Sequence, residues 1–296
     1  MNSLAARLRK PEYFYRPSQL ARRAVALLAP RRSVAIVRLP WGHTLEADPR
    51  ETVGRAIARL GVYDLPVSEA LWRLLAPGDR ALDLGANLGY ATSLMAARVG
   101  SGGEVLAFEP HPGNFARLQR NLARWPASSV RAFPVALSDR AGVAALVVPP
   151  DFNENHGLPR LARAGESGAM EVPTERLDAF TAAGDFALMK VDVEGHEAEA
   201  LAGAGGLIAS RRIRHLIFEE LDPASGVVSR QLQAAGFTVW RLGMEFRGPL
   251  LLPLSPSFRQ RAWLPRSCLA TCDPAAAQRT LAPRGWQVLR ARAQMS

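Results

Sequence analysis

Cysteine is scarce in this chain, and its scarcity narrows the chemistry open to the protein. Only Cys268 and Cys272 occur among 296 residues, which leaves no paired disulfide framework and no second half-site for a metal. We expect two reduced structural thiols and no redox chemistry. The sequence also contains neither an H-x-x-x-H pair nor a calcium loop, so zinc and structural calcium are not expected.

Long apolar runs are missing as well. No run approaches the roughly 18 residues that a membrane-spanning helix needs, and residues 1–4 begin no hydrophobic stretch of signal-peptide length. We therefore expect a soluble cytoplasmic protein. Because 48% of the residues are hydrophobic, the chain can still bury a continuous core. Overall disorder is excluded, and one large domain or two small ones are expected.

Lysine occurs only at Lys10 and Lys190, and arginine supplies the other cations of a chain with a net charge of +10. The first 40 residues hold nine basic and one acidic residue, residues 241–296 hold nine and two, and the middle holds 19 and 24. Basic ends can dock on an anionic membrane or a nucleic acid, or they can be solvated surface. The arginine-rich helical pattern of residues 1–33 predicts an amphipathic arm that could make peripheral membrane contact.

From residue 68 onwards, short apolar segments alternate with stretches of helical periodicity. The patterns predict strands at 80–84, 105–108, 130–137, 187–191 and 213–218, and helices at 68–75, 89–99, 115–125 and 198–208. Nearly all-apolar strands that alternate with helices are typical of a parallel sheet covered on both faces. Such a sheet binds ligands beyond the carboxyl ends of its strands, where the strand order reverses.

A glycine-rich turn follows the first of these strands, in residues 83–90. A dinucleotide loop needs glycine where this chain has Asn87 and Tyr90. The bulkier loop suits a ligand without phosphates that has an adenosine and a charged amino-acid tail. Asp83 can then face the ammonium of that tail, and the backbone at Gly85 can approach the ligand closely. The predicted loop residues are Asp83, Gly85, Ala86, Asn87, Gly89 and Tyr90.

Glu109 ends the second strand, about 20 residues beyond the loop. A carboxylate at this place can accept hydrogen bonds from both hydroxyls of a ribose, so we predict ribose recognition. The alternative is that the two glycines only make a tight turn and that Glu109 is a solvated strand end.

Residues 82–90 followed by 108–112 resemble the FkbM-type methyltransferase family. Two further blocks are similar to its pattern, at 136–139 and at 188–197 with 201–204. The resemblance covers roughly residues 41 to 240. Upstream, Gly61-Val62-Tyr63-Asp64 also resembles the family, although glutamate is more usual there than Asp64.

The resemblance implies a class I Rossmann-like α/β fold, with a mostly parallel central sheet and helices on both faces. It also implies binding of S-adenosylmethionine and methyl transfer to a hydroxyl of a sugar or another small metabolite. By the same resemblance, Ser138 and Asp139 are expected near the adenine, although Ser-Asp could simply start a turn. We expect an N-terminal arm and cap segment at 1–67, a methyltransferase core at 68–241, and a C-terminal extension packed on the core at 242–296.

Titratable residues crowd the end of the fourth strand, where the methyl group of the donor should project. An alcohol needs a base to remove its proton during attack. His196 is the first candidate for that base because its intrinsic pKa is near neutral, with Asp192 and Glu194 as rivals. His196 could instead be a surface residue. Lys190 could act in the reaction or could form a structural salt bridge with Asp192.

Two further groups of residues are candidates for binding. Asp192, Glu219 and Glu220 follow the fourth and fifth strands and could offer oxygen ligands to Mg²⁺. Asn155 and His156 lie in a long polar segment between the third and fourth strands and are candidate contacts for the acceptor.

Our reading is an S-adenosylmethionine-dependent O-methyltransferase that acts on a small hydroxylated acceptor, which could be a glycoside. The alternative is a degenerate core whose basic ends dock on an anionic membrane or nucleic acid. Nucleic acid is not expected as the methyl acceptor, because the middle segment is net negative and lacks an aromatic-proline motif after the fourth strand.

Overall fold

The computed structural model describes residues 11–15, 34–126, 130–148, 159–162, 166, 170–254 and 266–291. Asn155, His156 and most of the predicted arm therefore lie outside the described residues. Among the residues that are described, no helix is both long and apolar enough to cross a membrane.

The secondary structure follows the alternation predicted from residue 68 onwards, with additional elements on either side. The described strands are β1 (Ala35–Arg38), β2 (Thr44–Ala47), β3 (Arg80–Leu84), β4 (Glu104–Phe108), β5 (Val130–Phe133), β6 (Ala136–Leu137), β7 (Gly142–Val147), β8 (Arg160–Leu161), β9 (Met170–Glu175), β10 (Phe186–Val191), β11 (Ile213–Glu219), β12 (Thr238–Glu245), β13 (Gly248–Pro253) and β14 (Ser267–Thr271). The described helices are α1 (Pro11–Tyr15), α2 (Thr52–Leu60), α3 (Leu65–Leu74), α4 (Tyr90–Val99), α5 (Pro112–Leu122), α6 (Glu197–Gly203), α7 (Gly205–Ala209), α8 (Val227–Ala234), α9 (Pro274–Leu281) and α10 (Gln287–Arg290).

The central sheet has the strand order β13-β12-β14-β11-β10-β3-β4-β5. Strands β11, β10, β3, β4 and β5 run parallel to one another. The strand order reverses between β3 and β10, so the loops after these two strands flank the crevice expected of such a sheet. The predicted α/β fold with a mostly parallel central sheet is confirmed.

Both faces of the sheet are covered, as the apolar strands predict. Leu82 and Leu84 of β3 belong to one buried cluster, whereas Ala81 belongs to the cluster on the opposite face. Successive side chains of a strand point to opposite faces. When both faces are buried, as they are for β3, every side chain of the strand is in the core, and a polar residue there is unusual. Asp83 is such a residue and is fully buried, which marks it for a role at the end of the strand.

The C-terminal segment takes part in the sheet itself. Strand β14 lies between β11 and β12 and is antiparallel to both. The boundary expected at 241/242 falls inside β12, so the segment expected to pack on the core also supplies a central strand. Long-range insertion of one strand between two others leaves no periodic signal in the sequence, which is why the expectation placed this segment outside the core.

A second, four-stranded sheet of order β6-β9-β7-β8 flanks the main one. The single strand predicted at 130–137 was wrong, because β5 pairs with β4 in the main sheet whereas β6 pairs with β9 in the small one. The helix predicted at 198–208 is divided into α6 and α7. The helix predicted to begin at Ser68 begins at Leu65, where the side chain of Asp64 accepts from the backbone N–H of Val67 at 3.3 Å.

Candidate active site

A cleft opens at the carboxyl ends of β3, β4 and β10. Its walls combine the loop after β3, the acid that follows β4 and the polar residues that follow β10. The lining includes Gly85, Ala86, Asn87, Tyr90, Glu109, Lys190, Asp192, Glu194, His196 and Glu219. The structure thus brings together the glycine loop and the charged residues that the sequence analysis singled out.

Gly85 is required by close packing as well as by its backbone conformation. Its φ is +79°, and a Cβ atom there would lie 1.8 Å from the carbonyl oxygen of Asp192. The backbone N–H groups of Gly85 and Ala86 both donate to the carbonyl of Phe108, at 3.0 and 2.9 Å. The loop is therefore fixed against β4 on one side and against the chain after β10 on the other.

Gly89 and Tyr90 connect this loop to neighbouring elements. A Cβ atom at Gly89 would lie 2.7 Å from Cδ1 of Leu118 on α5. The hydroxyl of Tyr90 accepts from the backbone N–H of Tyr63 at 2.9 Å and lies 2.9 Å from Oγ of Ser68. Tyr90 was predicted to contact the cofactor, and in the structure its hydroxyl holds the segment before α3 against the cleft.

Glu109 is buried at the edge of the cleft and is oriented by the backbone. Its Oε2 accepts from the N–H of Asn87 at 2.7 Å, and its Oε1 accepts from the N–H of His111 at 2.9 Å. Burial raises the pKa of Glu109 to about 7, although both hydrogen bonds favour the charged form. The alternative of a solvated strand end does not fit this geometry.

Asp83 lies below the cleft, in a buried ion cluster. Its Oδ2 accepts from the hydroxyl of Thr92 at 2.6 Å, and its Oδ1 lies 3.7 Å from Nζ of Lys190. Burial raises the pKa of Asp83, and the charge of Lys190 opposes that rise. The ammonium neighbour of Asp83 is therefore an internal lysine, at a position that the sequence analysis assigned to a ligand.

Lys190 also pairs with Asp192, at 3.0 Å. Burial alone would lower the pKa of Lys190, but the charges of Asp192 and Asp83 outweigh it and hold that pKa above its usual value. The salt bridge left open at the sequence level is present. With Asp83 of β3 and Asp192 as its two acidic neighbours, the ammonium of Lys190 links the two strands that meet at the reversal of the strand order.

Three further carboxyl groups are acted on by the charge of Asp192. Burial is the largest cause that raises the pKa of Asp64 to about 6 and the pKa values of Glu194 and Glu219 to about 7. The negative charge of Asp192 adds to the rise in each case. Asp64 was singled out only as part of a family resemblance. Glu194 adopts a left-handed backbone conformation with φ +53°. Residues other than glycine rarely adopt this conformation, and those that do are often found at functional sites.

Of the three candidate magnesium ligands, Asp192 and Glu219 line the cleft, whereas Glu220 is turned towards α8. The carboxylate of Glu220 accepts from the N–H groups of Val228 and Ser229 at 2.9 and 3.1 Å, so it caps α8. Across the described part of the chain, no group of three or more His, Cys, Asp or Glu side chains is arranged to hold a metal ion.

His196 lines the cleft at the start of α6 and contacts the turn after β6. Its Nε2 lies 3.0 Å from Oγ of Ser138, and its Nδ1 lies 3.6 Å from Oε2 of Glu199. Ser138 in turn donates to Oδ1 of Asp139 at 3.1 Å. Asp139 is exposed at the surface, and Ser138 contacts His196 at a place where the resemblance implied an adenine contact.

The small sheet completes the rim of the cleft. Arg160 and Leu161 of β8 line it beside Leu146, and Arg160 pairs with Glu166 at 2.7 Å. No pattern in the sequence predicted these residues, because a two-residue strand has no periodicity. Asn155 and His156, the acceptor contacts predicted in this region, lie outside the described residues.

Comparison with known proteins places the chain in a family. The model of the methyltransferase FkbM domain matches residues 83–239, more than half of the chain. The hexuronic acid methyltransferase AglP of Haloferax volcanii is 31% identical over 157 residues, which are 50% of this chain and 61% of that protein. Methyltransferase 1 of Beauveria bassiana is 29% identical over 146 residues, 41% of this chain and 57% of that protein. The matched regions thus span about three fifths of the length of these relatives.

The alignments to solved structures have lower sequence identity. Trm5b of Pyrococcus abyssi aligns with a TM-score of 0.41 at 15% identity, over 82% of this chain and 56% of that one. A TehB-like SAM-dependent methyltransferase of Corynebacterium glutamicum aligns with a TM-score of 0.40 at 12% identity, over 73% of this chain and 91% of that one. On the match to the family model over residues 83–239, the chain belongs to the FkbM methyltransferase family.

Proposed function

We propose that this protein is an S-adenosylmethionine-dependent methyltransferase that methylates a hydroxyl group of a sugar-containing or other small metabolite. Membership of the FkbM family supports the reaction class. The observation that carries the proposal is the pair formed by Glu109 and the backbone of Asn87, which sets a fixed carboxylate beside the glycine loop at the edge of the cleft.

The residues of the cleft fit the proposed donor. The carboxylate of Glu109 accepts from two backbone N–H groups and from the side chain of Asn114, which leaves it able to accept one further hydrogen bond, from a ribose hydroxyl. In the described part of the chain, Oδ1 of Asn87 is buried and has no hydrogen-bond partner. A buried acceptor without a donor is costly, and a ligand that brings a hydroxyl or amine would supply the missing hydrogen.

The charge of the cleft fits the donor as well. Asp192, Glu194 and Glu219 line it together with Lys190, so negative side chains are in excess near the end of β10. When bound, S-adenosylmethionine supplies a methyl group that its positive sulfur has already activated. Carboxylates near that sulfur attract the cation, and the main task left to the protein is to align the acceptor and remove its proton.

Within this proposal, Glu194 is the favoured proton acceptor. Its pKa of about 7 matches the requirement for a base that works near neutral pH. His196, the first candidate from the sequence, has Nε2 beside Ser138 and Nδ1 near Glu199, so both ring nitrogens already have neighbours. Lys190 keeps Asp192 paired, which assigns Lys190 a positioning role.

The first experiment is calorimetric titration of the purified protein with S-adenosylmethionine, S-adenosylhomocysteine and NAD. We expect micromolar binding of the two adenosyl ligands and no binding of NAD. A folded sample that binds neither adenosyl ligand would contradict the proposed donor. It would favour the alternative that the basic ends dock on an anionic membrane or nucleic acid, measured as vesicle or nucleic-acid association against salt concentration.

A second experiment separates the candidate bases. Once an acceptor is in hand, Glu194→Gln should lower kcat by about 10²- to 10⁴-fold, a much larger change than the rise in the dissociation constant of S-adenosylmethionine, because Asp192 and Glu219 remain in the cleft. His196→Gln should lower kcat much less. The reverse order of the two losses would return the role of base to His196.

A further inference from the structure

A second cavity adjoins the cleft in which the proposed methyl donor would bind, and Lys190 lines both spaces. Tyr63, Asp64, Lys190, Asp192, Glu219 and Ser267 contribute polar groups to the wall of the second cavity, and most of the remaining wall is apolar. Tyr63, Lys190, Asp192 and Glu219 also line the cleft, so the two spaces share a wall. A molecule in the second cavity would therefore face the end of β10, where the proposed methyl transfer takes place.

Part of this cavity comes from outside the family match at residues 83–239. Tyr63 and Asp64 precede α3, and Ser267 begins β14. Oγ of Ser267 lies 3.5 Å from Oδ2 of Asp64, so two segments that are distant in sequence meet at the wall. Since β14 pairs with β11 and places Ser267 opposite Glu219, the inserted C-terminal strand also positions the acidic side of the cavity.

The charge of this region is strongly one-sided. The carboxyl groups of Asp64, Asp192, Glu194 and Glu219 act on one another and on the ammonium of Lys190, and the charge of Arg266 acts on Glu194. Carboxylates accept hydrogen bonds from hydroxyl or ammonium groups, whereas they repel a carboxylate or phosphate on a ligand. Because the pKa values of Glu194 and Glu219 are about 7, these two carboxyls carry part of their charge near neutral pH, and the region becomes more negative as the pH rises above 7.

Tyr63 provides an independent apolar surface at the same place. Its side chain is 39% exposed and lines both spaces, while its backbone is held by Tyr90. An exposed aromatic ring beside hydrogen-bond acceptors presents a flat apolar face and polar groups together. A sugar ring matches this combination, because its C–H face is apolar and its hydroxyls donate.

We propose that the second cavity is the acceptor subsite and that Asp64 and Glu219 select a neutral or amino-bearing sugar over an acidic one. The proposal rests on the proposed function, since it takes the donor to occupy the neighbouring cleft. It separates this chain from its Haloferax relative, whose name describes a hexuronic acid methyltransferase. The discriminating feature is the excess of carboxylates that a uronate would have to approach.

The test is methyl transfer from labelled S-adenosylmethionine to methyl glycosides of glucose, galactose and mannose, each as the neutral sugar, the 2-amino-2-deoxy sugar and the uronate. We expect labelling of neutral or amino forms and at least tenfold lower kcat/KM for the matching uronates. The double variant Asp64→Asn/Glu219→Gln should raise the relative rate of the uronates by tenfold or more. Asp64 caps α3 with a left-handed backbone of φ +42°, and because Asn is suited to both features, this variant should fold.

The matched control is Asp185→Asn, which removes an exposed carboxylate just before β10, at the opposite end of that strand from the cleft. It should leave the ratio of rates unchanged. Uronates labelled as fast as their neutral partners, or an unchanged ratio in the double variant, would overturn the proposal. So would a protein that binds the donor but labels none of the sugars. Failure of the donor itself to bind would instead reject the proposed function.

Discussion

Glu109 accepts a hydrogen bond from the backbone N–H of Asn87 at 2.7 Å, which joins the end of β4 to the loop after β3. The second oxygen of Glu109 accepts from the backbone N–H of His111 at 2.9 Å. Two backbone donors therefore fix the carboxylate before a ligand arrives. A group held in its binding geometry loses little entropy when the ligand binds.

This geometry predicts that Glu109→Gln weakens donor binding. The amide would place one N–H₂ donor against a backbone donor and would offer a single acceptor oxygen to the ribose. Hydrogen bonds to a charged group contribute about 1.5–3 kcal/mol, so the dissociation constant of S-adenosylmethionine should rise on the order of 10- to 100-fold in calorimetry. Glu104→Gln is the control, because Glu104 begins the same strand and pairs with Arg80 and Arg131. An unchanged affinity in Glu109→Gln would contradict ribose recognition.

The raised pKa values of the cleft predict how stability depends on pH. The pKa is about 7 for Glu109, Glu194 and Glu219 and about 6 for Asp64, each above its unfolded value. A carboxyl of this kind binds its proton more tightly in the folded state. Its contribution is fully present below the unfolded pKa, near 4, and is lost as the pH rises through the folded pKa.

His215 acts in the opposite direction over a lower range. Burial lowers its pKa to about 4, so its contribution is present above pH 6.5 and is lost as the pH falls towards 4. Between about pH 6.5 and 8 the cleft carboxyls therefore dominate, and the thermal midpoint should fall across this interval. Glu109→Gln should make that fall shallower, whereas Asp185→Asn should not. A midpoint that rises steadily from pH 6.5 to 8 would refute the prediction.

The sequence predicted what depends on local pattern. The apolar runs located the parallel strands, and the glycine loop with Glu109 located the cleft, because periodicity and turn chemistry are written in neighbouring residues. The pairing of Asp83 with Lys190 could not be predicted from the loop motif alone, since it depends on β3 and β10 being neighbours in the sheet. The second cavity has the same origin, because Asp64 and Ser267 meet only when β14 is inserted beside β11.

Gly85 provides a test of the backbone geometry at the cleft. Gly85→Ala would require a left-handed conformation, which costs roughly 1–2 kcal/mol, and would place Cβ 1.8 Å from the carbonyl oxygen of Asp192. We expect a large loss of stability, measured by urea denaturation, and loss of donor binding in any protein that folds. Gly205→Ala is the matched control, because a Cβ there meets no atom within 4 Å, and it should be neutral or slightly stabilising. Equal effects of the two substitutions would contradict the close approach of the two loops.

Buried hydrogen bonds link α3 to the C-terminal segment. Arg73 and Glu69 form a buried pair at 2.5 Å. Arg73 also donates to the carbonyl groups of Leu281, Pro283 and Gly285. Glu69 in turn accepts from two backbone N–H groups at the start of α10, both at 2.8 Å.

Arg73→Met should therefore destabilise the fold by about 3–5 kcal/mol, because it leaves the carboxylate of Glu69 buried without its cation. The double variant Glu69→Gln/Arg73→Met should lose less than the single variant, since it removes the unpaired charge as well. Urea denaturation measures these losses and that of the single variant Glu69→Gln, and Arg59→Met on the exposed side of α2 is the control. If the double variant lost the sum of the two single losses, the pair would not act as one unit. The link would then consist only of independent hydrogen bonds between α3 and the segment that carries α9 and α10.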